Sequence, residues 1–125
     1  MVEKDESPKN ASLRESYEEV GIKSKSVKII GELTPIYIPI SNFKVYPFIG
    51  WTNKKPIINL HKKEVSEIFS ISVKDIVDDN NLKEEIRYFN KEKAFVPFFY
   101  LKNQKIWGAT STIISEFKFI LKEVL

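Results

Sequence analysis

Three glutamates at helical spacing are the residues of this sequence that most directly suggest chemistry. Glu15, Glu18 and Glu19 stand at positions i, i+3 and i+4, which share one face of an α-helix. Carboxylates held this close repel one another, and a divalent cation would offset that repulsion. Hard oxygen ligands of this kind suit Mg²⁺ or Mn²⁺. On spacing alone, a solvated acidic helix face is the favoured alternative.

The helix that must position these glutamates has clear boundary signals. Ser7 can cap its first turn, where Pro8 is well placed because its missing N–H would be unpaired there anyway. Gly21 can take the left-handed conformation that ends a helix. Arg14 lies four residues before Glu18, so its guanidinium can orient that carboxylate. The sequence therefore predicts one helix that carries the whole acidic cluster.

The residues around the cluster match the core of the Nudix box, G-x5-E-x7-R-E-U-x-E-E-x-G-U, where U is a bulky aliphatic residue. Ser16 departs from the pattern at the first U position, and a small residue there is compatible with close packing. The chain thus resembles Nudix pyrophosphohydrolases, which implies an α+β fold of the α/β/α sandwich type. The residues that match are Glu6, Arg14, Glu15, Glu18, Glu19, Gly21 and Ile22.

The resemblance also predicts that the N-terminal part of the domain is missing. The opening glycine of the box would precede Met1, and the strands that come before the box in Nudix domains have no counterpart. We therefore expect residues 1–125 to form a single Nudix-like domain that is incomplete at its N-terminus. The carbonyl of that glycine commonly helps to hold the metal in this family. We expect the chain to be poorly active, or to fold only as part of an assembly.

Two later stretches are similar to coenzyme A pyrophosphatases. Residues 31–50, GELTPIYIPISNFKVYPFIG, resemble the segment that follows the box in that branch, and residues 106–110, IWGAT, resemble the motif that opens its last helix. Without the family, the prolines in the first stretch would simply stiffen a loop, and Trp107 would be a packing residue. The resemblance implies cleavage of coenzyme A to 3′,5′-ADP and 4′-phosphopantetheine.

Position-matching to the family implies roles for the residues of the acidic helix. Glu18 and Glu19 would be the principal metal ligands, and Glu15 would be a further ligand or the catalytic base. Arg14 would orient the carboxylates. Such a site would neutralise the negative charge of a diphosphate and activate a water molecule for attack.

The catalytic base has a second set of candidates, because many Nudix enzymes take it from a later loop. Glu64 and Glu67 lie in such a stretch, and the alternative for both is a charged loop that enters a strand. His61 is the only histidine of the chain, and it is expected on the surface rather than in the chemistry.

Composition narrows the classes of protein that remain. The 125 residues fit one domain, and the absence of cysteine excludes a disulfide framework, a thiol nucleophile and thiolate zinc ligation. A net charge of +3 suits a small anionic substrate but makes no case for nucleic acid. No apolar run has membrane-spanning length, and residues 1–9 do not resemble a signal peptide. A cytoplasmic protein is therefore expected, and a homodimer is left open.

Local patterns predict the remaining elements. Val and Ile favour strands over 26–33, 43–51 and 67–73, while two prolines predict a loop over 34–42 and a polar stretch predicts another over 52–63. A strand pair over 82–89 and 94–101 is followed by a turn at 102–104 and a short strand over 105–107. A short helical turn is expected over 74–77, a turn over 78–81, and a final helix whose apolar face is formed by Ile113, Phe117, Ile120, Leu121 and Val124.

Two other functions remain open from the sequence. The first is a Nudix hydrolase that acts on another nucleoside diphosphate derivative, such as a nucleotide sugar. The second is a non-catalytic remnant that binds nucleotides or a protein partner. The missing glycine of the box favours the remnant, whereas the retained carboxylates favour an enzyme.

Overall fold

Three α-helices and seven β-strands form the regular structure of the described residues, which in this computed structural model are 2–59, 68 and 70–125. The chain divides into two compact units, residues 1–68 and residues 69–125, and each contains helix and strand. This mixed content confirms the expected α+β class.

The first unit begins with a helix and continues with four short strands. A single 3₁₀ turn, Ser24–Ser26, separates the helix from the first strand. The strands pair two by two, the first with the fourth and the second with the third, and both pairs are antiparallel. The elements are α1 (Pro8–Val20), β1 (Lys28–Glu32), β2 (Ile36–Ile38), β3 (Phe43–Val45) and β4 (Phe48–Trp51).

Helix α1 has the boundaries that its sequence predicts. The Ser7 hydroxyl accepts the Asn10 N–H at 3.1 Å, and Pro8 occupies the first helical position. Gly21 follows the helix in the left-handed conformation, with φ of 79°, and its N–H donates to the Tyr17 carbonyl at 2.9 Å. Both ends are therefore determined by neighbouring residues in the chain.

A later segment also satisfies the C-terminal end of α1. The Asn59 N–H donates to the Val20 carbonyl at 2.7 Å, which pairs one of the carbonyls left open at a helix end. A Cβ on Gly21 would lie 3.2 Å from backbone atoms of Asn59. Gly21 is thus favoured both by its positive φ and by this close approach.

Prolines shape the strands of the first unit differently from the expected pattern. The expected strand over 43–51 is divided into β3 and β4, and Pro47, which has no N–H to donate, lies between them. Its carbonyl accepts the Leu33 N–H at 2.9 Å. The expected loop over 34–42 contains β2, which lies between Pro35 and Pro39 and pairs with β3 from Ile36 opposite Val45. That loop prediction was wrong because the prolines bound the strand rather than interrupt it.

The second unit is a three-stranded antiparallel meander with two helices. The strand order is β5-β6-β7, and the register runs from Leu82 opposite Phe99 to Phe89 opposite Glu92. This confirms the expected strand pair and the hairpin after it. The elements are α2 (Val73–Val77), a 3₁₀ turn (Asp79–Asn81), β5 (Leu82–Phe89), β6 (Glu92–Leu101), β7 (Gln104–Ile106) and α3 (Gly108–Val124).

The expected strand over 67–73 is not observed in the described part of that range. Ile68 and residues 70–72 have no regular structure, and Val73 begins α2 instead. The Ser72 hydroxyl accepts the Asp75 N–H at 3.1 Å and caps this helix. A serine followed by a short polar turn outweighs the strand preference of the Val and Ile residues here.

The buried centre of the second unit lies on β6. Phe98, Phe99 and Leu101 are buried, and Phe99 is only 1% exposed. Trp107 packs beneath the guanidinium of Arg87, whose Cζ lies 3.2 Å from the ring centroid. This contact is consistent with the packing role expected for Trp107.

Helix α3 buries a different set of side chains from the expected one. Ile113, Phe117 and Leu121 are partly buried, as predicted, but Val124 is 72% exposed. Lys118 is buried, and its Nζ lies 2.9 Å from the Asp79 carboxylate and 5.7 Å from the Phe99 ring centroid. Its long aliphatic stem explains how a lysine can occupy this face. Within the described residues, none of the helices combines the length and the apolar character needed to cross a bilayer.

Gly50→Ala should destabilise the protein by about 1–3 kcal/mol, because a Cβ at this position would lie 2.7 Å from Val27 Cγ1. Gly31→Ala is the matched control, since its Cβ would meet Ile49 Cδ1 at an ordinary 3.6 Å. That change should be neutral or slightly stabilising. Urea unfolding of both variants measures the difference, and equal free energies of unfolding would contradict the close packing at Gly50.

Asp79 should make stability depend on pH in the acid range. Hydrogen bonds from Lys122, at 2.6 Å, and from Lys118 lower its pKa from 3.8 to about 2. A carboxyl with a lower pKa in the folded state stabilises that state fully above the unfolded pKa. The contribution is lost as the pH falls toward about 2. The unfolding midpoint of the wild type should therefore fall more than that of Asp79→Asn between pH about 5 and about 2. An equal change of the unfolding midpoint with pH in the wild type and in Asp79→Asn would contradict the ion pairs.

Candidate active site

A double hydrogen bond joins the start of the chain to the acidic helix. Arg14 Nε donates to Glu6 Oε2 at 2.9 Å, and Arg14 Nη2 donates to Glu6 Oε1 at 3.1 Å. Both side chains are partly buried, with 17% of Glu6 and 26% of Arg14 exposed. Two parallel hydrogen bonds between a guanidinium and a carboxylate define both distance and orientation.

A backbone group completes this arrangement. The Glu3 N–H donates to Glu6 Oε1 at 3.0 Å, so the Glu6 carboxylate accepts three hydrogen bonds. The hydrogen bonds from Arg14 and then from the Glu3 backbone lower the pKa of Glu6. In return, the hydrogen bonding with Glu6 raises the pKa of Arg14. The pair is therefore ionised at neutral pH and holds the segment before α1 against the helix.

The same arginine contacts two glutamates of the predicted site. Arg14 Nη1 donates to Glu18 Oε2 at 3.0 Å, which places the two side chains as their i, i+4 spacing predicts. Arg14 Nη2 lies 3.7 Å from Glu15 Oε1. One guanidinium thus faces the carboxylates of Glu6, Glu15 and Glu18.

The predicted metal ligands Glu15, Glu18 and Glu19 all lie on α1. Glu15 and Glu19 are partly buried and Glu18 is more exposed. Among the residues that the structure describes, no group of three or more His, Cys, Asp or Glu side chains is arranged to hold a metal ion. The donor type of all three carboxylates fits a hard divalent cation. Because Glu18 is hydrogen-bonded to Arg14, such a cation would compete with the guanidinium for that carboxylate.

Three candidates from the later loop lie outside the described residues. They are Glu64 and Glu67, the alternative catalytic bases, and His61, expected on the surface. Their assignments stay predictions.

The departure from the box at Ser16 has a structural consequence. Ser16 lines an apolar concavity of about 230 Å³ between α1 and the β1–β4 pair, together with Ile29 and Phe48. A concavity therefore lies beside the small residue at this position.

Sequence patterns missed two features near the acidic helix. The first is the contact of Arg14 with Glu6, because a pair eight residues apart across a helix start has no periodic signature. The second is Lys23 and Lys25, which line an open groove of about 740 Å³ beside Glu18. The Lys-Ser-Lys spacing just after the helix was the available signal for the second feature.

Glu6→Gln should lower the thermal unfolding midpoint, because the amide cannot offer two charged acceptors to Arg14. Glu3→Gln is the matched control, since the Glu3 carboxylate is 69% exposed and lies 3.6 Å from Arg14, while its backbone N–H is unchanged. We expect a clearly smaller shift for the control. Far-UV circular dichroism during heating measures both, and equal midpoints would contradict the anchoring role of Glu6.

The chain is similar in sequence to several Nudix hydrolases. Nudix hydrolase 3 of Caenorhabditis elegans is 23% identical over an alignment of 127 positions, which covers 89% of this chain and 53% of that protein. The Nudix hydrolase NudL of Photorhabdus laumondii is 29% identical over 115 residues, or 90% of this chain and 60% of the relative. NudL of Citrobacter koseri is 28% identical over 106 residues, and the alignment covers 85% of this chain and 55% of that protein. The chain spans about half the length of these curated relatives.

A family model described as NUDIX domain matches residues 1–95. The match includes α1 with the Glu6–Arg14 pair, all four strands of the first unit, and β5. Nudix hydrolases generally use divalent metal ions and act on small molecules. Because the match covers most of the chain and contains the acidic helix, this chain belongs to the NUDIX domain family.

Proposed function

We propose that this chain carries the metal-binding part of a pyrophosphohydrolase that cleaves coenzyme A to 3′,5′-ADP and 4′-phosphopantetheine. The observation that carries the proposal is the Arg14 side chain, anchored by Glu6 at 2.9 Å and hydrogen-bonded to Glu18 at 3.0 Å. These are residues of the box by which the sequence resembles Nudix enzymes. An arginine held in this way keeps its guanidinium within reach of the glutamates that would bind the metal.

The metal in this proposal is Mg²⁺ or Mn²⁺. Glu18 and Glu19 would hold it, with Glu15 as a further ligand, because carboxylate oxygens are the donors that these ions prefer. A divalent cation bound there would supply charge neutralisation for the diphosphate and lower the pKa of an attacking water.

The side chains of this chain have separate tasks around that chemistry. Arg14 orients Glu18 and balances part of the charge of the carboxylates. Glu15, 3.7 Å from Arg14, is one candidate for the base that removes a proton from water. Glu64 and Glu67 are the other candidates. A variant of each glutamate, assayed for pH-dependent turnover, separates the base from the ligands.

The choice of coenzyme A rests on residues 31–50 and 106–110. The first stretch contributes β2 and β3 and leads into β4, and the second leads into α3 at Gly108. Another nucleoside diphosphate derivative is the alternative substrate. A non-catalytic remnant that binds a nucleotide or a partner is the second alternative.

The same proposal extends to the whole protein. We propose that residues 1–125 belong to one Nudix domain, and that the protein is cytoplasmic, with a homodimer left open. Its substrate would be a small molecule rather than nucleic acid or a membrane lipid. Size-exclusion chromatography with light scattering tests the oligomeric state.

Glu18→Gln should reduce metal-dependent formation of 3′,5′-ADP from coenzyme A by about 100-fold, because it removes a charged oxygen ligand. Glu84→Gln is the matched control, since Glu84 is an exposed glutamate of β5, outside the acidic helix. It should leave turnover unchanged. The assay follows product by chromatography with Mg²⁺ and with Mn²⁺.

Three outcomes of this assay count against the proposal. Unchanged turnover in Glu18→Gln would show that Glu18 is not a metal ligand. Product from a nucleotide sugar or dinucleotide, but not from coenzyme A, would replace the substrate. A chain that turns over no substrate, yet binds nucleotide equally with and without Glu18, would be a non-catalytic remnant.

A further inference from the structure

A groove beside the acidic helix combines charges of both signs. One wall is α1, and the other is the 3₁₀ turn that follows it. The groove is open and about 740 Å³ in volume, which is large enough for part of a nucleotide. The side chains that line it include Arg14, Tyr17, Glu18, Lys23 and Lys25.

The two lysines of this groove differ from the paired cations of the protein in having no carboxylate partner among the described residues, and from other exposed lysines, such as Lys28, in lining the groove. Lys105 and Lys122 lie 2.9 Å and 2.6 Å from carboxylates. Within the part of the chain that the structure describes, Lys23 and Lys25 have no such ion pair, and both are exposed. Arg14, in contrast, is committed to Glu6. The groove therefore offers two uncompensated ammonium groups.

The backbone that carries these lysines is held in place. The Lys23 carbonyl accepts the Ser26 N–H at 3.0 Å and the Ser26 hydroxyl at 2.7 Å. The Val27 N–H donates to the Ser24 carbonyl at 3.3 Å. Because Gly21 ends α1 just before this turn, the lysines stay close to the helix face that carries Glu18. Their placement is thus a consequence of local structure rather than of a free loop.

We propose that Lys23 and Lys25 bind a phosphate group of the substrate, an inference that rests on the proposed function. An ammonium group is a compact charge that binds phosphate well. Glu18, on the other wall, would repel a bare phosphate, so the lysine wall is where the phosphate binds. A divalent cation at Glu18 and the two lysines would then hold neighbouring anionic groups of one ligand. The phosphate is either the diphosphate itself or an additional phosphate, such as the 3′-phosphate of coenzyme A.

Binding of inorganic pyrophosphate in Mg²⁺, measured by isothermal titration calorimetry, tests the proposal without any turnover. The double variant Lys23→Ala/Lys25→Ala should weaken binding about tenfold and reduce its dependence on salt. Lys28→Ala is the matched control. It removes an exposed lysine of β1 that does not line the groove, and it should change the dissociation constant less than about twofold. Urea unfolding of each variant checks that the fold is retained.

Turnover of coenzyme A and of dephospho-coenzyme A then identifies the phosphate. If the KM of the double variant rises for both substrates while kcat is unchanged, the lysines bind the diphosphate. A rise for coenzyme A alone assigns them to the 3′-phosphate, and in that case pyrophosphate binding falls less. The inference is overturned if the double variant behaves like Lys28→Ala toward pyrophosphate and toward both substrates. If neither substrate is turned over, the proposed activity fails, while weakened pyrophosphate binding still supports the lysine site.

Discussion

The hydrogen-bonded pair of Glu6 and Arg14 is the contact on which the first unit depends. Its two hydrogen bonds join the residues before α1 to the middle of that helix, and a third, from the Glu3 backbone, closes a short loop around it. Partial burial strengthens the pair, since water competes less for either group. Arg14 thereby becomes a rigid positive centre, and the orientation of Glu18 follows from it.

The proposed metal site and the proposed phosphate site would place charges of both signs around that centre. Arg14 faces several carboxylates at once, and a divalent ion held by Glu18 and Glu19, as proposed, would add positive charge beside it. The uncompensated ammonium groups lie just beyond the end of the helix. A diphosphate with its metal carries both kinds of charge, and separated patches of opposite sign would fix its orientation as well as its affinity. The acidic contacts of Arg14 involve Glu3, Glu6, Glu15 and Glu18.

The second unit relies on a different balance of forces. Its meander buries Phe99 and Leu101, and helix α3 brings a lysine into the same region. Burial of Lys118 is tolerated because Asp79 faces its ammonium at 2.9 Å, and the Phe99 ring centroid lies 5.7 Å from the same group. Arg87 over Trp107 adds a second cation contact. These contacts stabilise a unit that contains none of the residues of the acidic helix.

The sequence by itself determined the features that short-range physics controls. The bounds of α1 follow from Ser7 and Gly21, and the strand pair of β5 and β6 follows from two neighbouring stretches rich in strand-favouring residues. The acidic face follows from spacing along one helix. Only the tertiary structure decided the partner of Arg14, the hollow beside Ser16 and the burial of Lys118. Each of these depends on chain segments that meet in space, and no local pattern records which segments will meet.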